Sequence, residues 1–479
     1  KLSYPYSAYA AVVVDAEDFG QIPKRTYLIR GLKIKVPTNY FPADELNRTT
    51  GSRRTTASYT RNVTSGADAG SVQDWDGNFR GDLDTYTFSS VNYNKVFCDN
   101  PVWIMYDMLT NTRYGMGQFV EKENIDKYEL FRLAKYCDEE VPDGNGGVEP
   151  RFTCNIYFAE SGEATTVLKQ LASVFHGMGL WANGEFTVTA DQPKQPVALF
   201  SKANIINGQF TYEGTGDRVR TNQVKVTWND PEDNYRQSTE YVEDYENIAE
   251  IGKIIRSEQL AFACTSRGQA HRMGKWKLLS EKNERETVTF ETGQNAIGLL
   301  PGQVIGIQDA DRDRISYAGR VSNTGTRSTT VIPLDRTISL PTYDAAFPPE
   351  LVLMYPKGGA YRIDDFATIG GVDYVKGDLI GSITTSAAAA NEDANIEWSE
   401  DFRTETKIIT TSAGNVSSLT VSSAFSETPE TEAIWALKLY NADGSLKVGT
   451  IKEYRIIAIK EDEGKFSIAG SEYHREKFA

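Results

Sequence analysis

Residues 100–117 read NPVWIMYDMLTNTRYGMG, a run rich in Trp, Met and Tyr that ends on two glycines. Asn100 is a suitable helix N-cap, and Pro101 fits the first helical turn, where a missing N–H costs nothing. Apolar residues then recur at the spacing of one helical face: Val102, Met105, Met108 and Leu109. Asn111 and Gly115 supply stop signals. The stretch therefore predicts a short helix that packs through one apolar face.

The residues that follow predict a mixed unit of helices and strands. A second helix is expected within 123–140, with an apolar face formed by Ile125, Leu130, Leu133, Ala134 and Cys137. RFTCNIYF (151–158) predicts a strand, and 161–179 predicts a third helix with Ser161 as its N-cap. In LWANGEFTVTAD (180–191), an Asn-Gly pair stands between two β-rich runs, which is the pattern of a two-residue hairpin.

Strands are expected on both sides of this unit. LKIKV (32–36) alternates apolar and basic residues, as a half-buried strand does. NQVKVTWNDPEDNYRQSTEYVED (222–244) predicts two strands joined by an Asp-Pro turn, and Ser257–Glu281 predicts one long helix. Short strands follow at close spacing in LLPGQVIGIQD (299–309) and beyond, a rhythm typical of a small barrel.

The predicted fold is mainly β, in several domains, with an α+β insertion. The predicted segments are 1–96 (β), 97–199 (α+β), 200–292 (β with one long helix), 293–375 (a small β-barrel) and 376–479 (a C-terminal β region). Residues 48–74 are rich in Thr, Ser, Gly and Arg, which bury little surface, so a surface loop is expected there.

Composition limits the functions open to the chain. Its 479 residues carry 51 basic and 66 acidic side chains, a net charge of −15, which disfavours gripping DNA or RNA phosphates. Cys98, Cys137, Cys154 and Cys264 form no CxxC pair and are expected to be buried free thiols. The longest apolar run, 8–14, is far shorter than the about 20 residues that span a bilayer. Because the sequence begins at Lys1, we expect a segment of a longer polypeptide.

Two sequences that resemble binding loops fail on spacing. DADRDR (309–314) places Asp at the first three ligand positions of an EF-hand loop, but Arg314 and Arg320 stand where that loop needs Gly and Glu. In GQAHRMGKW (268–276), five residues separate the glycines instead of four, and Trp276 replaces the Ser or Thr that reaches magnesium in a phosphate loop. Neither a calcium site nor a nucleotide site is expected.

Catalytic patterns are also missing from the sequence. No HExxH or GxSxG motif accompanies His176, His271 or His474, so structural histidines are expected. Acid pairs such as Asp99 with Asp107, or Glu139 with Glu140, leave a glycosidase open, because only distance decides such chemistry. We predict no catalytic, cofactor-binding or metal-binding residue, and a protein that is not an enzyme.

Long motifs in a fixed order resemble the tail-tip, or tip attachment (J-type) host-specificity, proteins of long-tailed bacteriophages. They are LIRGLKIKVPTNY (28–40), DWDGNF (74–79), NPVWIMYDMLTNTRYGMG (100–117), YCDEEVPDGNGGVEPRFTCN (136–155), LWANGEFTVTADQP (180–193), VKVTWNDPEDNYRQSTEYVED (224–244), FACTSRGQAHRMGKW (262–276), LLPGQVIGIQD (299–309) and YRIIAIKEDEGKFSIAG (454–470). The structural signature residues that this resemblance implies are Trp103, Asp107, Met108, Leu109, Tyr114, Gly115, Gly117, Pro142, Asp143, Gly144, Arg267, Gly268, Ala270 and His271.

The resemblance implies a baseplate-hub-like architecture in which segments 1–96 and 200–292 are tube-like β-barrel domains. It implies a homotrimer at the distal end of the virion tail, assembled in the host cytoplasm, that closes the tail tube and opens for DNA ejection. The implied partners are the distal tail protein, other tail-tip proteins, the tape-measure protein, passing genomic DNA and a host surface receptor. The receptor is expected to meet a C-terminal extension outside this sequence.

Two departures from the family pattern leave alternatives open. The stretch 48–74 looks longer than the family requires, and 358–400 has no confident match. A binding module that meets the receptor through 48–74 is one alternative, and a tail-associated hydrolase of cell-surface glycan is the other. In the leading interpretation, residues 100–117 are structural: the helix is pinned to a β-layer, and Tyr114 and the two glycines shape its exit.

Overall fold

A computed structural model describes residues 95–354 of the protein apart from 159–161, 183, 195, 203, 215–219 and 314–315. It also describes 12–13, 15, 21, 27–29, 31–42, 57–59, 75, 77–80, strands within 360–399, and 404–478 apart from 426, 432, 443, 445, 448–449 and 463. β-strands predominate in these residues, as predicted. The strands described there form no closed barrel. None of the helices described there is long and apolar enough to cross a membrane.

The first described strands are short antiparallel pairs. They are β1 (Lys33–Ile34) with β6 (Val96–Phe97), β2 (Val36–Pro37) with β5 (Phe79–Arg80), and β3 (Tyr40–Phe41) with β4 (Ser58–Tyr59). The alternation predicted from LKIKV is confirmed at Ile34 and Val36, which are buried, but the single strand is not, because its two halves join different partners and Leu32 stays 62% exposed. Within 48–74 only residues 57–59 are described, and Tyr59 packs edge-on against Phe131 at 5.3 Å between ring centroids. The rest of that predicted loop lies outside the described residues.

The α+β unit follows as three helices and two hairpins. It contains α1 (Pro101–Thr110), α2 (Lys127–Cys137), β7 (Glu140–Pro142), β8 (Val148–Pro150), α3 (Ala164–Ser173), β9 (Gly177–Ala182) and β10 (Glu185–Ala190). The predicted hairpin is confirmed, with Glu185 opposite Ala182 and Gly184 at a φ of +83°. The third helix begins after Glu163, and the predicted cap Ser161 lies outside the described residues.

The strand predicted over 151–158 is not formed. Its amides bond to three separate partners instead of one ladder: Phe152 N to Cys137 O, Cys154 N to Asp99 O, and Asn155 N to Ala263 O, at 3.0, 2.7 and 2.9 Å. The described residues of this segment therefore belong to no strand and connect the end of α2, the start of α1 and the turn at Ala263.

The next elements include two strands of a larger sheet, β11 (Ala198–Ser201) and β12 (Thr211–Gly214), and a separate three-stranded sheet covered on one face by a helix. The elements that follow β12 are β13 (Gln223–Asp230), β14 (Arg236–Glu243), α4 (Tyr245–Ile251), β15 (Arg256–Leu260) and α5 (Arg267–Asn283), of which α5 is the covering helix. The order in the three-stranded sheet is β14-β13-β15, with β13 antiparallel to β14 and parallel to β15. The predicted pair of strands within 222–244 is confirmed.

The helix predicted from Ser257 to Glu281 is wrong in its first third. Ser257 belongs to β15, because this segment pairs in register with β13. The chain then turns at Ala263, whose φ is +57°, and Ser266 caps α5 by accepting a hydrogen bond from Gln269 N. A helix could not continue through these residues, because a positive φ lies outside the right-handed helical region.

A six-stranded sheet and a four-stranded sheet carry most of the remaining chain. The further elements are β16 (Glu286–Thr292), β17 (Val304–Gln308), α6 (Ala310–Asp313), β18 (Ala318–Arg320), β19 (Val331–Leu340), β20 (Glu350–Met354), β21 (Ala360–Ile363), β22 (Ala367–Ile369), β23 (Val372–Tyr374), β24 (Leu379–Ile380), β25 (Ile396–Ser399), β26 (Thr404–Ile408), β27 (Gly414–Thr420), β28 (Ile434–Lys438), β29 (Lys452–Asp462) and β30 (Lys465–Glu472). The larger sheet has the order β11-β17-β29-β30-β16-β12, and the smaller one β18-β28-β20-β26.

These two sheets combine strands from the predicted segments 200–292, 293–375 and 376–479. Distant parts of the chain therefore share one apolar core, in which Ile305, Tyr454 and Ile468 are fully buried. The sheets therefore combine strands from several of the segments drawn from the sequence. The boundaries of those segments stay a prediction.

Candidate functional site

Helix α1 is fixed at its N-terminus and along its buried face. Asn100 accepts a hydrogen bond from Val102 N at 3.0 Å, which satisfies one of the free amides of the first turn. The Trp103 side chain is fully buried, edge-on to Trp75 and Phe79 at 6.2 and 5.9 Å between ring centroids. Trp75 and Phe79, the latter in β5, therefore pack against the buried face of the helix, and the structural role of residues 100–117 stays a prediction.

The exit from α1 is a tight turn built from four signature residues. The Tyr114 hydroxyl donates to Asp107 Oδ2 at 2.5 Å, and burial together with this carboxylate raises the pKa of Tyr114. A Cβ on Gly115 would stand 2.1 Å from Met108 O, and one on Gly117 would stand 2.2 Å from Thr110 O. Both contacts are with backbone, so no side-chain rotation relieves them. The turn therefore requires glycine at both positions.

A second group of signature residues lies at the tip of the β7–β8 hairpin. The Asp143 carboxylate accepts backbone hydrogen bonds from Asn145 N at 2.7 Å and Gly147 N at 2.9 Å, which lower the pKa of Asp143. Gly144 follows with a φ of +82°, a conformation that favours glycine. The tip is an Asx-stabilised turn that starts directly after Pro142.

The third group of signature residues, at the N-terminus of α5, lies against this same hairpin. A Cβ on Gly268 would stand 2.8 Å from Asp143 O and 2.3 Å from Glu149 Oε1, so glycine allows the close approach. Arg272 joins the two elements, because Nη1 donates to Glu149 Oε1 at 2.6 Å and to Pro142 O at 3.2 Å. Ala270 is fully buried beneath them. The structure thus brings together two motifs more than 120 residues apart.

Arg267 and His271 lie on the exposed side of α5, where they contact strand β14. Arg267 Nε and His271 Nδ1 lie 2.8 and 3.1 Å from the two Glu240 carboxylate oxygens. Partial burial raises the pKa of Glu240, but these two hydrogen bonds outweigh it, and the pKa is lowered overall. The signature residues of α5 therefore fasten the helix to its own sheet as well as to the hairpin.

A buried polar cluster that the sequence reading missed surrounds Asp138, the C-cap of α2. Its carboxylate accepts hydrogen bonds from the Tyr59 hydroxyl at 2.6 Å and from Asn100 Nδ2 at 2.7 Å. Burial raises the pKa of Asp138 to about 7 in spite of these hydrogen bonds, and the nearby Asp99 carboxyl adds to the rise. The cluster joins a short N-terminal strand, the cap of α1 and the end of α2. Only the N-cap Asn100 was recognisable from its sequence position.

A second missed cluster joins the end of the described chain to the α+β unit. Asp191 Oδ2 accepts a hydrogen bond from Trp276 Nε1 at 3.0 Å. It also forms salt bridges with Arg455 Nη1 at 2.9 Å and Lys477 Nζ at 2.7 Å. The side chain of Lys477 is fully buried and also pairs with Glu284. No local pattern in the sequence could show that residues so far apart meet.

His176 completes this cluster. Its ring stacks on Trp276 at 3.9 Å between centroids, with an interplanar angle of 14°. Burial lowers the pKa of His176 to about 4, so the ring is neutral at physiological pH and packs as an aromatic group.

Three of the acidic residues weighed as catalytic or metal-binding candidates make structural contacts. Asp107 is held by a tyrosine, Glu139 accepts Arg151 Nη2 at 2.7 Å, and Asp309 accepts the backbone amide of Asp311 at 3.0 Å. Among the described residues, no set of three or more His, Cys, Asp or Glu side chains is arranged to hold a metal ion. All four cysteines are free thiols, and only Cys98 is partly exposed.

Comparisons with known proteins fit the motif resemblance. Residues 163–324 match a family model described as a putative phage tail protein. The chain is 33% identical over 327 residues to Tip attachment protein J of Escherichia phage SECphi27, and 30% identical over 312 residues to Tip attachment protein J of Escherichia phage SECphi4. These matches cover 67% and 65% of this chain but 24% of each relative, so the chain spans about a quarter of their length.

Similarity to solved structures is weaker. A chain of the native gene transfer agent virion is 13% identical, with a TM-score of 0.32 and coverage of 47% of this chain and 45% of that one. A tail protein from Neisseria meningitidis MC58 is 19% identical, with a TM-score of 0.25 and coverage of 34% and 50%. Scores this low carry no argument about the fold.

Proposed function

Since this chain is a relative of phage tail-tip attachment proteins, as its motifs predict, we propose that it is a structural virion protein at the distal end of a phage tail. The observation that carries the proposal is 33% identity sustained over 327 residues. The signature residues support a structural role, because they form a capped helix, a glycine-dependent turn and a hairpin–helix junction.

In the finer proposal, three copies form the central hub of the tail tip and close the distal tail tube. The hub contacts the distal tail protein, other tail-tip proteins and the tape-measure protein, after assembly in the host cytoplasm. Segments 1–96 and 200–292 contribute its tube-like domains, and a closed threefold ring is compatible with the closed symmetry that most homo-oligomers adopt.

The hub opens for genomic DNA when the phage infects. The chain carries a net charge of −15, and a passage lined by Asp and Glu would keep DNA from adhering as it moves through. Host attachment and specificity are assigned to a C-terminal extension, as the family resemblance implies.

Sedimentation equilibrium of the purified chain tests the assembly. We expect a species of three 53.3 kDa copies whose mass does not change with further increase in concentration. A monomer at the highest soluble concentration would overturn the trimeric hub. Release of sugars from purified peptidoglycan or capsule would overturn the assignment as a non-enzymatic protein.

A further inference from the structure

The three-stranded sheet β14-β13-β15 has two open edges. In the described part of the chain, neither the outer side of β14 nor that of β15 has a partner strand. Alternate residues of such an edge turn their N–H and C=O groups away from the sheet, so an edge is a template for another strand. β14 offers eight residues of edge without a proline.

One face of this sheet is covered by α5, and the opposite face, called the free face, is mostly polar and is exposed chiefly at the outer strands. Val224, Val226 and Trp228 of β13 are buried with Met273 and Leu278 of α5 in one apolar cluster. Because side chains alternate along a strand, the residues between them point to the opposite face. The free face is formed by Gln223, Lys225 and Thr227 of β13, Tyr241 and Glu243 of β14, and Arg256, Glu258 and Leu260 of β15.

A polar row crosses the free face from a cation at one edge to an anion at the other. Gln223 lies between Arg256 and Glu243 in register. Its side-chain oxygen accepts Arg256 Nε at 2.5 Å, and its side-chain nitrogen donates to Glu243. Arg256 is exposed, whereas Glu243 is half-buried. The two open edges therefore carry opposite charges at the same level of the sheet.

The rest of each edge fits the same pairing. Glu258 on the β15 edge is neutralised by Lys225 at 3.1 Å, which leaves the exposed Leu260 as the apolar contact of that edge. Leu260 is 59% exposed and Tyr241 on the β14 edge is 47% exposed. With Arg256 opposite Glu243, an antiparallel pairing places Leu260 diagonal to Tyr241, within reach of an aromatic side chain.

We propose that the β15 edge of one copy pairs, antiparallel and without stagger, with the β14 edge of a second copy of this chain. The inference rests on the proposed trimer and names the surface that would close it. This contact is head-to-tail, and such a contact closes into a ring when its rotation permits.

Cysteine cross-linking of the full chain tests the pairing. In the double variant Arg256→Cys with Glu243→Cys, mild oxidation should give covalent dimers and trimers and no larger species. A bond within one chain is excluded, because two strand spacings amount to about 9.6 Å, beyond the about 7 Å that a disulfide can bridge. The native cysteines are buried or half-buried, so each single variant should remain uncross-linked.

A mixture of the two single variants sharpens the test. Head-to-tail pairing predicts covalent dimers only, since each copy then carries one reactive edge. Trimers by sedimentation with no covalent species would overturn this inference and leave the trimeric hub standing. Monomers by sedimentation would overturn both. Charge swapping gives a second readout: Arg256→Glu or Glu243→Arg alone should weaken association by about tenfold or more, and the swapped pair should restore it because the Gln223 amide can turn over. Equal association of all four proteins contradicts the pairing.

Discussion

Asp138→Asn should remove a loss of stability that develops with rising pH at the junction between the N-terminal strands and the α+β unit. The carboxyl has a pKa of about 7 in the folded chain against 3.8 for an ordinary aspartate. Between these two values the folded state holds a proton that the unfolded state has released, so stability falls as the pH rises through this window. Asparagine keeps an oxygen to accept from Tyr59 and Asn100 but carries no charge.

The size of the effect follows from the difference in pKa. About three units at 1.36 kcal/mol each correspond to about 4 kcal/mol as an upper limit. The stability that depends on a protonated Asp138 is fully present below pH 3.8, declines between pH 4 and pH 7, and is absent above pH 7. The free energy of unfolding of the variant minus that of the parent chain should therefore rise with pH across this window and level off above it.

Urea unfolding followed by tryptophan fluorescence at several pH values between 4 and 8 measures this difference, since Trp75 and Trp103 lie in the same core. Glu140→Gln is the matched control, because it removes an exposed carboxylate two residues away and should give no such rise. A difference that stays flat, or that falls with pH, would refute the argument that burial holds Asp138 protonated.

Three further substitutions test the structural role of the signature residues and of the buried lysine. Gly115→Ala should destabilise the chain by about 2 kcal/mol or more, because the added Cβ would overlap backbone atoms. Gly162→Ala is the control and should change thermal unfolding little, since its added Cβ would have its nearest contact at 3.5 Å. Equal effects of the two substitutions would contradict the packing argument. Lys477→Met leaves the buried Asp191 and the half-buried Glu284 without their lysine and should cost about 3 kcal/mol. An unchanged melting temperature would argue against the cluster. Arg272→Met should lower the free energy of unfolding by about 1.5–3 kcal/mol through the loss of charged hydrogen bonds. The same change at the more exposed Arg267 should lower it by less than about 1 kcal/mol. The reverse order in urea unfolding would refute the assigned contacts.

Local patterns predicted the elements whose signals lie within a few residues. The cap at Asn100, the Asn-Gly hairpin before Glu185 and the Asp-Pro turn after Asp230 all follow from short-range chemistry, and the structure forms each of them. The sequence predicts Ser257 in a helix, whereas the structure places it in β15. Pairing with β13 accounts for the difference, and sequence alone does not show such a partner.

The contacts that organise the candidate site are long-range and could not be predicted in the same way. Glu149 and Arg272 come from two recognised motifs, yet nothing in either motif says that they touch. Asp191 and Lys477 belong to no pattern at all, because a buried ion pair depends on the whole fold that excludes water around it. The family resemblance predicted the kind of protein, and the physical roles of its signature residues became clear only from their contacts.

Electron microscopy of phage particles labelled with gold-tagged antibody against this chain tests the central claim most directly. The account predicts gold at the distal end of the tail in intact virions, and its loss from particles assembled without the chain. Gold on the capsid or along the tail shaft, or label found only in unassembled protein from the lysate, would contradict it.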